Sequence, residues 1–252
     1  MSIKTAVVDG VATIEIARPE KKNAITRAMY TQLAEAFDAA REDPAVRAVL
    51  LTGQPGIFTS GNDIEDFVQR PSDEDPPSIT FMKALIGCDK PVIAAVTGAA
   101  IGIGTTMLLH CDFVYVSDEA RLAMPFVSLG LVPEFASSLV VPQLMGNARA
   151  AEKLLLGDPF TGADAVECGI ANAVLPASEV VKHARRVAER FNALPPGAVR
   201  ETKRLMRRGR TAAIVDTIGV ETEVFARRLA SPEAKEAFGA FFEKRKPDFS
   251  RF

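Results

Sequence analysis

Two glycine-rich junctions and one glutamate are the parts of this 252-residue chain whose residue types and spacing could do chemistry. The junctions are Phe58-Thr59-Ser60-Gly61-Asn62-Asp63-Ile64 and Gly98-Ala99-Ala100-Ile101-Gly102-Ile103-Gly104, and each reads as a strand, a tight turn and a helix start. Unpaired N–H groups at such a helix start, with the positive end of the dipole, can hold an oxyanion. Taken singly, each junction can equally be a tight connection and nothing more. A dinucleotide-binding reading fits poorly, because Thr105-Thr106-Met107 follows Gly102-Ile103-Gly104, so the third glycine of that fingerprint is missing. The glutamate is Glu134, which follows Leu131-Val132-Pro133 and is predicted to open the helix EFASSLVVPQL between apolar neighbours. An acid there can simply complement the helix dipole. In apolar surroundings it can also have its pKa pushed towards the operating pH and serve as a base. His110 and His183 stand alone, and Cys88, Cys111 and Cys168 are widely spaced without a CxxC pair, so no metal site, triad or disulfide framework is indicated.

The elements that must position these residues follow from periodicity. TAVVDGVATIEI reads as two strands about an Asp9-Gly10 type I′ turn. Residues 26–41 carry apolar positions at helical spacing behind Thr26 as N-cap. A buried strand is predicted at 46–52, a glycine-rich turn at 53–62, a helix at 63–69 and an acidic, proline-rich surface loop at 70–78. A helix at 79–88, a buried strand at 91–96, a helix from about 104, and strands at 112–117 and 120–124 complete a βαβ-like half. Beyond Pro133 the pattern is mostly helical: 134–145, 148–156, 163–168, 178–192, 197–208, 211–230 and 232–246, with one short strand at 171–174. Pro91 to Leu109 is a run of 19 uncharged residues, long enough for a membrane span. Its proline, glycines and threonines favour a buried strand joined to a buried helix.

Composition narrows the function classes. Thirty basic against 32 acidic residues give a net charge of −2, which offers no global attraction to nucleic acid or anionic membranes. With Trp 0 and Tyr 2, base-stacking platforms are not expected. The basic run Arg200, Lys203, Arg204, Arg207, Arg208 and Arg210 is expected to be a solvated helix face. Met-Ser-Ile-Lys-Thr has no apolar signal region, which suggests the cytoplasm. Phe225, Leu229, Phe238, Phe241 and Phe242 make the C-terminal helices apolar enough to pack on the domain or on a partner subunit.

The segments RPEKKNAI, VLLTGQPGIFTSGNDI, KPVIAAVTGAAIGIG, CDFVYVSDEARLAMPFVSLGLVPEFASS, FTGADAVECGIANAV and FFEKRKPDF occur in an order and spacing that resembles the crotonase, or enoyl-CoA hydratase/isomerase, superfamily over essentially the whole chain. The resemblance implies an α/β fold, a spiral of ββα units over residues 1–195, followed by a helical trimerisation region at 196–252. It implies an acyl-CoA thioester as substrate and no separate cofactor, the coenzyme A being part of the substrate. It also implies a homotrimer or a dimer of trimers. By the same resemblance the backbone N–H groups of Ser60 and Ile103 form an oxyanion hole. Two such donors, each worth about 2.7–4 kcal/mol in comparable enzymes, suit the charge that develops when a proton leaves the carbon alpha to a thioester. Coenzyme A and acyl contacts are implied for Lys22, Ala24, Ser60, Gly61, Asn62, Asp63, Ile64, Gly104 and Phe126, with Lys244 reaching phosphates. Asn62 can alternatively be a plain turn residue, and Asp63 is expected to cap the helix or tie the loop. The family's hydratases use two glutamates, and this chain has Thr106 and Phe126 at those positions. The stretch 125–138 instead resembles the Δ3,Δ2-enoyl-CoA isomerase branch, with Glu134 as sole base.

Overall fold

A computed structural model describes residues 2–68 and 76–252. The chain opens with β1 (Ile3–Val8) and β2 (Val11–Ile16), paired antiparallel about Asp9 and Gly10, both at positive φ (49° and 72°) as the type I′ turn requires. Next come α1 (Arg27–Glu42), whose N-cap Thr26 accepts from the Met29 N–H, then β3 (Ala48–Thr52), β4 (Ile57–Thr59) and α2 (Ile64–Val68). The second unit is α3 (Pro77–Gly87), β5 (Val92–Val96), β6 (Ala99–Ile101) and α4 (Ile103–Thr106), which runs into a 3-10 turn at 107–110. The third has β7 (Phe113–Ser117), β8 (Arg121–Ala123), α5 (Ser137–Met145) and α6 (Asn147–Ala151). The chain then continues through β9 (Phe160–Thr161), α7 (Gly162–Glu167), β10 (Ala173–Leu175), α8 (Ala177–Glu189), α9 (Pro196–Arg207), α10 (Thr211–Leu229) and α11 (Pro232–Phe242).

The strands form two sheets, ordered β1-β2-β3-β5-β7-β10 and β4-β6-β8-β9. Every unit therefore climbs from the large sheet into the small one (β3 to β4, β5 to β6, β7 to β8) before a helix returns it, which is the expected ββα spiral. Alternation explains the layers. On β3, Ala48 and Leu50 face α8 through Val180, Ala184, Val187 and Ala188, while Val49 and Leu51 face the main core with Phe37 of α1 and Phe81 of α3.

Several expectations are corrected. The turn predicted at 53–62 contains β4, and the turn after residue 96 contains β6; three-residue strands are too short for periodicity to reveal. The uncharged run Pro91 to Leu109 divides into β5, β6, α4 and the following 3-10 turn, and no helix among the described residues is long and apolar enough to cross a membrane. The last helix ends at Phe242 rather than 246. The helix predicted from Glu134 starts at Ser137, because Phe135 and Ala136 are both left-handed (φ 57° and 55°). The basic run is only partly solvated: Lys203 is buried and donates to Asp112 Oδ2 (2.6 Å) and to the Lys90 carbonyl, while Arg207 donates to Asp112 Oδ1 (2.9 Å) and to the His110 carbonyl. The predicted loop at 70–78 lies mostly outside the described residues; its last residues, Pro77 and Ser78, begin α3.

The C-terminal helices fold back on their own chain. Ile214 and Ile218 of α10 and Ala234 and Phe238 of α11 are buried in the main core, with Phe225 and Leu229 packed against it.

Candidate active site

Parallel pairing of β4 with β6, in which Thr59 is opposite Ala100, brings the ends of these strands and the turns after them side by side. Two glycines permit the approach. A Cβ at Gly61 (φ 93°) would stand 2.8 Å from the Ile101 carbonyl oxygen, and one at Gly104 would stand 2.6 Å from Thr59 Cγ2. Of the two amides expected to be free there, Ile103 is and Ser60 is not. The Ser60 N–H donates to the Lys22 carbonyl (3.1 Å), the Gly61 N–H to Thr59 Oγ1 (3.1 Å) and the Asp63 N–H to the Ile25 carbonyl (2.9 Å). Among these consecutive amides, the Asn62 N–H is the one without an acceptor among the described residues. Ser60 is thereby corrected: its amide is already engaged, and the free donor lies two residues later. In the second turn, Gly102 N–H donates to the Ala123 carbonyl and Thr105 and Thr106 N–H to the Gly102 carbonyl, which leaves the Ile103 N–H free of any acceptor among the described residues. Because α4 has only four residues, these donors act through their own geometry more than through a macrodipole.

The loop from Arg18 to Ile25 supports the first turn from beneath. Lys22 and Asn23 are left-handed, and the fully buried Asn23 side chain accepts from the Arg18 N–H (2.7 Å) and donates to the carbonyls of Ile57 and Phe58 (3.1 Å each). Asn23 escaped the sequence reading because the carbonyls it donates to, those of Ile57 and Phe58, lie more than thirty residues away. The Ala24 carbonyl accepts from Arg18, and the Lys22 carbonyl accepts from the Ser60 N–H, so both residues lie against the first turn. Asp63 ties this assembly together: Oδ2 accepts from Arg18 (2.6 Å) and Oδ1 from the Asp66 N–H (3.2 Å). Burial pushes the Asp63 carboxyl up, but the Arg18 and Asp66 donors outweigh it and hold the pKa below the usual carboxylate value.

Two cavities meet at this turn. One is lined by Tyr30, Asn62, Glu134 and Phe135 with Ile79, Met82 and Phe225; the other by Ser60, Gly61, Ile64, Gly102, Phe126 and Phe238. Asn62 and Phe225 line both. Asn62 therefore faces the cavities as well as shaping the turn, and its Oδ1 accepts from Tyr30 Oη (2.6 Å). Tyr30 was not among the expected residues; it occupies a core position of α1 and reads as packing alone. Its hydroxyl pKa is raised well above 10 by burial and then by the nearby Glu134, so it remains a donor. Lys244 is not brought to either cavity: it is exposed, left-handed and beyond the end of α11. Gly104 sits behind the turn, buried against Thr59, and lines neither.

Glu134 is 9% exposed and reaches its position through an extended Leu131-Val132-Pro133 segment rather than a helix start. Its Oε1 accepts from Thr106 Oγ1 (2.5 Å), so the residue at a position where the hydratases carry a glutamate here bonds to the candidate base. Burial raises the Glu134 pKa to about 8, the Thr106 hydroxyl pulling against it and the charge of Glu221 adding to it. Such a carboxyl is mostly protonated in the empty site at neutral pH yet close enough to that pH to exchange its proton with a substrate. Two backbone donors without acceptors on adjacent turns, the buried Glu134 carboxyl and a largely apolar cavity together suit removal and return of a proton beside a carbonyl.

Comparisons with known proteins identify the family. Residues 7–251 match the family model described as enoyl-CoA hydratase/isomerase. Among curated relatives, the chain is 34% identical over 245 residues to enoyl-CoA delta isomerase 2 of Homo sapiens, covering 94% of this chain and 62% of that protein. It is 29% identical over 254 residues to a probable enoyl-CoA hydratase of Bacillus subtilis (strain 168), covering 98% of each. Among solved structures, Pseudomonas aeruginosa OdaA superposes with a TM-score of 0.93 at 52% identity, over 95% of this chain and 98% of that one. An enoyl-CoA hydratase/isomerase from Pseudoalteromonas atlantica T6c superposes with a TM-score of 0.95 at 40% identity, over 99% and 100%. With its ββα spiral, paired turns and near-complete family match, the chain belongs to the enoyl-CoA hydratase/isomerase family of the crotonase superfamily, whose enzymes act on acyl-CoA thioesters.

Proposed function

We propose that the protein moves the double bond of a 3-enoyl-CoA to the 2-trans position, with Glu134 as its only acid–base group and no cofactor beyond the coenzyme A that the substrate carries. The observation that carries this reading is the placement of Glu134: its buried carboxyl lines the cavity beside Asn62, the other carboxyls lining it among the described residues, Asp63 and Asp66, are engaged by Arg18 and by the Arg27 N–H, and Thr106 and Phe126 stand at the positions where, by the family resemblance, a hydratase has its two glutamates. The thioester oxygen accepts from the Asn62 and Ile103 N–H groups. Glu134, ionised on binding, takes a proton from C2; the electron pair passes into the thioester, and the dienolate charge rests on that oxygen. The same carboxyl then gives the proton to C4, the C3–C4 double bond becomes a C2–C3 double bond, and no atom is gained or lost. A hydration would need a second group to orient and deprotonate water, and Phe126 offers none.

A second reading, hydration or another enolate-forming reaction, is favoured by relatives such as the Bacillus subtilis protein named a probable enoyl-CoA hydratase. Incubation with 3-hexenoyl-CoA and separately with crotonyl-CoA, following conjugation and hydration, separates the two. Isomerisation without appreciable hydration is expected, and Glu134→Gln is expected to lower it by roughly a factor of 100 or more while retaining acyl-CoA binding. Hydration without isomerisation would overturn the proposal. Retained binding with neither reaction, in the wild-type protein, would leave only an acyl-CoA-binding module.

A further inference from the structure

Glu134 is followed by two consecutive non-glycine residues in the left-handed region, Phe135 and Ala136. Backbone of this kind persists where its surroundings over-determine it, and it gathers at functional sites. Two side chains distant in sequence hold this one. His110 stacks on the Phe135 ring (centroids 4.1 Å apart, 22° between planes), and its Nε2 donates to the Phe135 carbonyl (2.8 Å). From α10, Glu221 accepts from the Ala136 N–H at Oε2 (2.6 Å) and from the Ser138 N–H (3.0 Å) and Oγ (2.5 Å) at Oε1. Glu221 is 6% exposed, and both of its oxygens meet donors, two of which are backbone amides that cannot turn away. One residue on, Thr222 lines the Glu134 cavity, and Phe225, one turn further along α10, lines both cavities.

We propose that Glu221 is a positioning residue for the Glu134 base: its carboxylate clamps the left-handed turn that presents Glu134, and its buried negative charge sets the field in which Glu134 ionises. The proposal deepens the reading of Glu134 as the base and rests on it. Other titratable or charged groups around Glu134 are Tyr30 and Arg27 of α1, Asp63 and Asp66 at the β4–α2 turn, and His110. Tyr30 stays neutral, and Asp63 is paired with Arg18. His110 is kept neutral at neutral pH by burial, its pKa falling to about 4. Burial pushes the Glu221 carboxyl up and the Ser138 and Ala136 donors pull against that; when ionised, it is the charge that the structure couples to Glu134 in the direction of keeping its proton on.

The test is a carboxyl NMR titration of the full-length protein labelled with 13C at the glutamate side-chain carbons, the Glu134 resonance being assigned by its loss in Glu134→Gln. In Glu221→Gln, which keeps the shape and removes the charge, the Glu134 midpoint is expected to fall by roughly half a pH unit or more. The pH profile of 3-hexenoyl-CoA isomerisation should shift the same way. An unmoved midpoint in the folded variant would overturn the proposal. A shifted midpoint in a protein that does not isomerise 3-hexenoyl-CoA would uphold the role of Glu221 and remove the reaction instead. Should Glu221→Gln fail to fold, Ser138→Ala withdraws one of the three donors and keeps the charge. Faster amide hydrogen exchange at residues 136 and 138 is then expected, and unchanged exchange would refute the clamp.

Discussion

At the scale of single residues, the hydrogen bond from Thr106 to Glu134 carries the most testable chemistry. It is a bond to a group that must become an anion, a kind worth about 1.5–3 kcal/mol. Thr106→Val removes the donor with little change in volume, so the Glu134 pKa should rise further and the ascending, acidic limb of kcat/KM should move up by about one pH unit or more. A kcat/KM profile against pH checks this. The raised pKa of Glu134 has a second consequence, for stability. Unfolded, the carboxyl ionises near its ordinary 4.5; folded, it holds its proton until about 8. Between these values the unfolded chain gains charge and the native one does not, so stability should fall as pH rises from about 5 to about 8 and level off above, with a slope from this residue of at most about 1.4 kcal/mol per pH unit. Glu134→Gln should flatten that part of the curve, as read by urea unfolding at several pH values. Glu134, Thr106 and Phe126 were legible in the sequence because family motifs surround them. Glu221, His110, Tyr30 and Asn23 were not, since their roles depend on backbone atoms or side chains 25 to 85 positions away. The same limit applies to the turn at 58–64, where Ser60 was expected to present the free amide and Asn62 presents it: spacing names the turn, but only the hydrogen bonds from Lys22 to Asp63 identify which amide lacks an acceptor among the described residues.

At the scale of elements, the site depends on how closely two short strands and their turns approach. Gly61→Ala would place a methyl 2.8 Å from the Ile101 carbonyl at a φ of 93°, so the two turns must part. Separating the donors should lower kcat by roughly 100- to 1,000-fold, comparable to losing one oxyanion donor, with a smaller effect on KM. Steady-state kinetics with 3-hexenoyl-CoA, together with a circular dichroism spectrum to show retained fold, checks it. Long elements were legible: the Asp9-Gly10 hairpin, α1 behind Thr26 and α10 all lie close to where periodicity puts them. The three-residue strands β4 and β6 were not, although they carry both turns, because their formation is decided by pairing with each other and with β8 rather than by local pattern. Nor could pattern foresee that residues 134–136 would leave the helix, because the contacts made there come from His110 and from Glu221 of α10.

At the scale of the whole molecule, the folded-back C-terminal helices still leave apolar side chains in water. Leu205, Met206, Val215, Val220, Phe241 and Phe242 are between 48% and 75% exposed. An apolar surface of that kind marks an association face. The protein is expected to run as a trimer or hexamer in light scattering, and Phe241→Ser combined with Phe242→Ser is expected to shift the population towards smaller species; a wild-type monomer at micromolar concentration would refute the expectation. The overall spiral was legible because the family motifs span the chain, whereas the part of residues 196–252 that lines the cavities was not: the reading gave Lys244 a place at the substrate, but the lining residues are Thr222, Phe225 and Phe238. Their placement bears on how the protein is made. A ribosome releases the chain from its N-terminus, so Asn62, Ile103, Thr106 and Glu134 emerge well before Glu221, Thr222 and Phe225 of α10. Until that helix docks, the turn bearing Glu134 lacks the Glu221 contacts and the cavities lack a wall, so the proposed base is set in place by a helix synthesised about ninety residues after it.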